Sequence, residues 1–255
     1  TVSSGPDDIK VTENAFIIYN DDKSKNFKPK AISINANEPG VQKYSKNYIF
    51  YEELVKAAAN MNANTIFAKD LLPAEFYRAV YSHNSKHKDH PMYIIQQISP
   101  PDKQSEAEWE QKIKYTLDAI HGVGTVPESD VLQQSSYFID ISSYVLGVVI
   151  DGVNASDNYT YDGVYTKGNL NEGFGAYLYD TVQKYNTEKY GKHIAIGLNN
   201  YSENIKDIFK DDVCKNEYFF LSVSHKSITL GEGEDYTAAY KKLSTAANNR
   251  LLVTG

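Results

Sequence analysis

Apolar residues recur along this chain in two rhythms, and the rhythms alternate. Short continuous apolar runs at 15–19, 31–35, 65–68, 92–98, 145–150, 193–198, 218–223 and 251–253 read as strands. Between them the spacing becomes helical. Tyr51, Leu54, Val55, Ala58 and Met61 share one face, as do Trp109, Ile113, Leu117 and Ile120. Phe174, Tyr177, Leu178, Thr181, Val182 and Tyr185 form a third such face, stopped by Gly191. Further helices are expected at 74–82, 205–209 and 236–247, and a helical turn at 140–144. The run Asn20-Asp21-Asp22-Lys23 is turn chemistry and Pro29 precedes the strand at 31–35, which predicts a short hairpin leading into the first barrel strand.

Strands alternating with helices predict a parallel sheet with right-handed crossovers. The count fits a (β/α)8-type TIM barrel that lacks its last strand and carries an N-terminal β-hairpin. A doubly wound sheet is the alternative. No Gly-rich phosphate loop supports a nucleotide-binding version, because Gly122-Val123-Gly124 follows a helix. Residues 1–14 read as a flexible leader, and 15–255 as one barrel domain. A barrel one strand short leaves two bare sheet edges. The expectation is an eighth strand beyond residue 255, with homodimerisation of the fragment as the consequence of its absence.

Composition narrows the class. The chain has 255 residues, close to the roughly 250 of one such barrel. Its hydrophobic fraction of 41% allows a real core, and no apolar run approaches a membrane span. A membrane link is expected only through other parts of a parent protein. A net charge of −7 argues against nucleic acid as a partner. Residues 1–14 contain no signal-peptide core. Cys214 is the one cysteine, which fits the cytoplasm or a Gram-positive surface protein without disulfides. Tyrosine, with 21 copies against one tryptophan, offers flat faces and hydroxyls suited to stacking on sugars or to ordinary packing.

In a barrel of this kind, sites form at the C-terminal ends of the strands. The residues there are Asn35, Glu38, Lys69, Asp70, Gln97, Asp151, Asn199, Asn200, Ser224 and His225. Amides and carboxylates dominate, and such groups hydrogen-bond hydroxyl-rich ligands as donors and acceptors. Asp151 follows an apolar strand and precedes a glycine. A partly desolvated carboxylate there suits general acid work, or it caps a loop by accepting backbone N–H bonds. Asn35, Lys69, Gln97, Tyr161, Asn199 and His225 are expected to line a carbohydrate cleft around it. His83, His87 and His90 are assigned to an exposed loop, so neither a metal site nor any other cofactor is expected.

Particular runs resemble a known family. Asn64-Thr65-Ile66 with Leu72-Pro73-Ala74-Glu75-Phe76-Tyr77-Arg78-Ala79 resembles the second strand and helix of clan A glycoside-hydrolase barrels. The likeness is to a family-2-like barrel of bacterial cell-surface proteins. Ile32-Ser33-Ile34-Asn35 with Glu38-Pro39-Gly40 is similar to its first strand, and Tyr93-Ile94-Ile95-Gln96 to its third. Phe138-Ile139-Asp140-Ile141-Ser142 with Tyr144-Val145-Leu146-Gly147 resembles the approach to its fourth. Phe67 stands where the family has an arginine, and Val153 where it has the acid/base glutamate, with Asp151 two residues earlier. Ser222-Val223-Ser224-His225 keeps a histidine and loses a Tyr-Pro pair, and the family's nucleophile would fall beyond residue 255. The resemblance implies an extracellular domain that cleaves or rearranges a cell-surface polysaccharide, with Asp151 as acid/base. The alternative is an inactive barrel that binds a glycan or a protein.

Overall fold

Strand and helix alternate in space as they do in the sequence. The computed structural model describes residues 8–21, 23–124, 137–152, 161, 163, 173–199, 217–224, 228, 230–246 and 249–254. Three antiparallel strands open the chain: β1 (Asp8–Thr12), β2 (Ala15–Asn20) and β3 (Lys23–Phe27). Seven parallel strands follow: β4 (Ala31–Asn35), β5 (Thr65–Lys69), β6 (Tyr93–Ile98), β7 (Val145–Ile150), β8 (Ile196–Asn199), β9 (Phe219–Ser224) and β10 (Leu251–Thr254). The helices between them are α1 (Pro39–Lys43), α2 (Tyr48–Asn60), α3 (Ala74–Lys86), α4 (Glu106–Ile120), α5 (Gly173–Tyr190) and α6 (Tyr236–Ala246). A 3-10 turn at Ser142–Tyr144 precedes β7.

The parallel strands lie in sequence order, β10-β9-β8-β7-β6-β5-β4. Each crossover therefore moves the chain one strand along the same sheet, and the sheet curls into an open half-barrel. This is the truncated TIM-barrel architecture the periodicity predicts. Among the described residues, β4 and β10 are its two edges.

Two cores sit on the two faces of the sheet. Outside, Ile66, Ala68, Ile94, Ile98, Val148, Ile150, Ile196 and Leu198 pack against the helices through Tyr51, Phe76, Trp109, Leu117 and Val182. Inside, Phe67, Ile95, Val149, Ala195 and Phe220 pack against Ile9, Val11, Phe16 and Ile18 of the N-terminal sheet. A strand buried on both faces must be apolar throughout, which is why β6 and β7 are uniformly buried.

The N-terminal sheet plugs the interior from the end where the parallel strands begin. The Val11 amide donates to the Glu217 carbonyl at 2.6 Å, and the Asn14 amide to the Asn249 carbonyl at 2.7 Å. Glu217 and Asn249 lie just ahead of β9 and β10. The leader expectation is therefore corrected for residues 8–12, which form β1 paired antiparallel with β2 from Asp8–Tyr19 to Thr12–Ala15. Alternation puts Ile9 and Val11 on the buried face. Two apolar residues are too short a pattern to read as a strand locally, and a distant partner fixes them. The expected N-terminal hairpin is present; its second strand is β3, which pairs with β2, and 31–35 is the first parallel strand. The sequence of β3, Lys-Ser-Lys-Asn-Phe, has four exposed positions. It is an edge strand whose lysines discourage further pairing, so its polarity mimics a turn. His83 belongs to α3 and not to a loop; its ring stacks on His87 at 4.3 Å.

One buried side chain ties α3 to β6. Asn84 is fully buried; its Nδ2 donates to the Met92 carbonyl at 2.9 Å and its Oδ1 accepts from the Met92 amide at 2.7 Å. Replacing it by alanine strands a buried N–H and a buried C=O, at about 1–3 kcal/mol each. Asn84→Ala should lower stability by about 2–4 kcal/mol in urea unfolding. A loss below about 0.5 kcal/mol would show that the pair is replaced by solvent.

Candidate functional site

The inner face of the half-barrel is apolar where the strands begin and polar where they end. The last apolar layer is Val149 aligned with Gly197 on β8, and Gly197 aligned with Phe220 on β9. Neither glycine is a turn residue; both leave room for one ring. A Cβ on Gly197 would stand 2.3 Å from the Phe220 ring, and one on Gly147 3.1 Å from it and 2.7 Å from the Ala195 carbonyl oxygen. Phe220 meets Phe16 of the plug edge-on, with ring centroids 5.4 Å apart. This layer is the floor of the site.

One step further along the strands, Asp151 and Asn199 stand side by side, joined by a 2.7 Å hydrogen bond from Asn199 Nδ2 to Asp151 Oδ1. On the other side Gln97 Nε2 donates to Asp151 Oδ2 at 3.2 Å and to Ser99 Oγ at 3.1 Å. Gln97 and Asn199 are buried, and Asp151 is half-buried. The Asp151 amide donates to the Ile98 carbonyl at 3.0 Å, which extends the β6–β7 ladder to the tip. Asn199 is aligned with Ser222 on β9. Ser99, Asp151, Asn199 and Ser222 thus form one polar row across four adjacent strands.

Both carboxylate oxygens of Asp151 accept bonds from amide groups. That arrangement fixes the carboxylate as a hydrogen-bond acceptor on the inner face. In both of these bonds the donor is a side chain.

The position of β6 is secured from behind. On the outer face, the Tyr77 hydroxyl donates to Gln96 Oε1 at 2.6 Å and accepts from the Leu72 amide at 3.2 Å. Gln96 Nε2 in turn donates to the Gln97 carbonyl at 2.8 Å. Burial pushes the Tyr77 hydroxyl well above the ordinary tyrosine range, so it remains a donor at any working pH.

The other expected site residues are distributed differently. Asn35 and Lys69 are aligned on β4 and β5, toward the edge strand. Asn35 Oδ1 turns back to accept from the Asn37 amide at 2.9 Å. Asp70 has a positive φ of 68°; its Oδ1 accepts from the Leu71 amide at 2.9 Å and its Oδ2 faces Lys112 of α4 at 3.3 Å. It fastens a loop to a helix. The Tyr161 ring stands edge-on to Tyr177 of α5, with centroids 5.6 Å apart, in the helix-side layer. His225 and Asn200 lie outside the described residues. Ser99 and Ser222 were missed as candidates. A serine inside the apolar run Phe219-Phe220-Leu221-Ser222-Val223 was the available signal.

A separate cavity lined by His121, Ser142, Asn186 and His193 opens at the N-terminal ends of β7 and β8. At about 3.3 Å of rise per residue, it lies about 20 Å from the Asp151 row. His121 Nε2 pairs with Asn186 Oδ1 at 2.9 Å there, and burial lowers the His121 pKa.

No protein-family model and no curated protein sequence matches this chain. Solved structures do. A GH2 beta-galacturonidase from Eisenbergiella tayi bound to galacturonate matches 97% of this chain and 38% of its own, at 9% identity and a TM-score of 0.56. The same kind of enzyme bound to glycerol matches 97% of this chain and 37% of its own, at 9% identity and a TM-score of 0.53. Gas2p from Saccharomyces cerevisiae, in complex with laminaritetraose and laminaripentaose, gives 12% identity and a TM-score of 0.49, over 99% of this chain and 52% of its own. At these identities the likeness to the galacturonidase is one of fold, a glycoside-hydrolase-like barrel. The chain spans less than two-fifths of the galacturonidase it matches.

Proposed function

We propose that this chain recognises a carbohydrate, a bacterial cell-surface polysaccharide, at the C-terminal ends of β6 to β9. The observation that carries this is the Asp151 carboxylate, held on the inner face by amide donors from both neighbouring strands at 2.7 and 3.2 Å. A fixed carboxylate among amides and hydroxyls is chemistry for sugar hydroxyls, which donate to it. The glycoside-hydrolase-like fold supports the same class of ligand, since sites on such barrels lie at the strand ends. The single cysteine fits a Gram-positive surface protein as well as it fits the cytoplasm.

Recognition is favoured over cleavage by the bonding of Asp151. A retaining glycosidase needs two carboxyl groups about 5–5.5 Å apart, one of them able to donate. Among the described strand tips the other carboxylates are Glu38, past the edge strand β4, and Asp70, which faces Lys112.

Calorimetric titration with cellopentaose, laminaripentaose and tri-galacturonate tests this. At least one should bind the wild type, and Asp151→Ala should weaken it about ten- to a hundredfold, the size of one hydrogen bond to a charged group. Absence of binding by all three, or equal binding by the variant, would overturn the function. Reducing ends released by the wild type and not by the variant would show a catalytic site instead. Asp151→Ala also strands the Gln97 and Asn199 amides, so a fall in melting temperature of a few degrees is expected alongside.

A further inference from the structure

The polar row includes a buried hydroxyl with no hydrogen-bond partner. Ser99, Asp151 and Asn199 are linked through Gln97 and through the 2.7 Å bond between Asn199 and Asp151. Ser222 stands next to Asn199 in register, fully buried, and its Oγ has no hydrogen-bond partner. Its side chain shares the inner face with Phe220, two residues earlier on the same strand, because strand side chains alternate. Adjacent parallel strands lie about 4.8 Å apart, so the hydroxyl sits within one strand spacing of Asn199. A buried hydroxyl without a partner is rare and unfavourable, and it calls for a partner that arrives.

We propose that Ser222 is a ligand-contacting residue beneath the Asp151–Asn199 pair: its hydroxyl, covered in the ligand-free protein, takes a hydrogen bond from one uncharged sugar hydroxyl directly or through a single water when a ligand is seated on the row. This rests on the carbohydrate function proposed above. The chemistry favours a hydroxyl over other groups. Asn199 Nδ2 already donates to Asp151, so the row offers a ligand the acceptor oxygens of Asp151 and a serine hydroxyl that donates and accepts. A sugar hydroxyl also donates and accepts, and matches both. A ligand carboxylate would instead be brought toward the Asp151 carboxylate, where like charges repel.

The test uses the whole 1–255 chain, the same three oligosaccharides, and the variants Ser222→Ala and Asp151→Ala. For the oligosaccharide that binds the wild type, Ser222→Ala should weaken binding about tenfold, with the melting temperature unchanged or raised, since it deletes an unpaired buried hydroxyl. Ser222→Thr, which restores a hydroxyl, should recover part of the affinity. Binding by Ser222→Ala equal to wild type, while Asp151→Ala is weakened, would overturn the role of Ser222 and leave the function standing. No binding by the wild type would overturn the function itself. Tightest binding of tri-galacturonate would overturn the preference for an uncharged ring.

Discussion

A chain that begins at Ala15 should fail to give a stable, soluble barrel. Removing residues 1–14 removes β1, and with it Ile9 and Val11, which pack on the inner face against Phe67, Ile95 and Phe220. Full burial of two such side chains contributes about 3–6 kcal/mol. The Val11 amide bond to Glu217 is lost too, and with it the Lys10–Glu217 ion pair at 2.8 Å. That surface pair matters least, since its Glu217 partner is more than half exposed and exposed pairs contribute little. The larger loss is structural. Phe16 and Ile18 of β2 would keep only β3 beside them, and a two-stranded ribbon is marginal in water. A domain is stable by about 5–15 kcal/mol in all, so the deletion removes a large share of that. Circular dichroism on heating and size-exclusion chromatography should show a melting point lowered by ten degrees or more, or aggregation. A truncated chain that melts with the full one would mean that β1 is dispensable, as a leader would be.

The same strand shows where local pattern ends as a guide. β6 and β7 were legible because burial on both faces makes a strand apolar throughout. The helices were legible because one face repeats at helical spacing, as Trp109, Ile113 and Leu117 do. β1 and β3 were not legible. β1 has two apolar residues whose partner, Phe220, lies about two hundred positions away, and β3 is a polar edge. Contacts of that sequence separation leave no trace in a short window.

The site was half legible for a related reason. The rule that strand tips carry chemistry located Gln97, Asp151 and Asn199. It could not say which tips meet, because that depends on register. The alignment of Val149 with Gly197 sets Asp151 level with Asn199, whereas Asn35 and Lys69 sit together at the far strands. Nor could it separate a tip facing inward from one turned aside. Asp70 reads like Asp151 in sequence, yet its positive φ delivers it to Lys112. Ser222 lies inside a strand, not at a tip, and was passed over for that reason.

Phe220→Ala should cost about 3–5 kcal/mol, among the largest single effects in this chain. The ring is buried, bridges the plug and the sheet through Phe16, and fills the space that Gly147 and Gly197 leave. Its loss opens a cavity bounded by two residues that have no side chain to relax into it. Gly197→Ala approaches the same contact from the other side. Its Cβ would lie 2.3 Å from the ring, and overpacking of this kind costs about 1–3 kcal/mol. The two changes should couple. In the Phe220→Ala background the clash is gone, so Gly197→Ala should become nearly neutral or favourable there. Urea unfolding of the four proteins in the cycle should give a coupling energy of at least about 1 kcal/mol. Equal cost of Gly197→Ala in both backgrounds would mean that the backbone of β8, and not the ring, requires glycine. The cycle bears on the polar row as well, because this ring is the layer directly beneath Asn199 and Ser222. Phe220→Leu, which keeps much of the volume, should retain oligosaccharide binding, while Phe220→Ala should lose affinity along with stability.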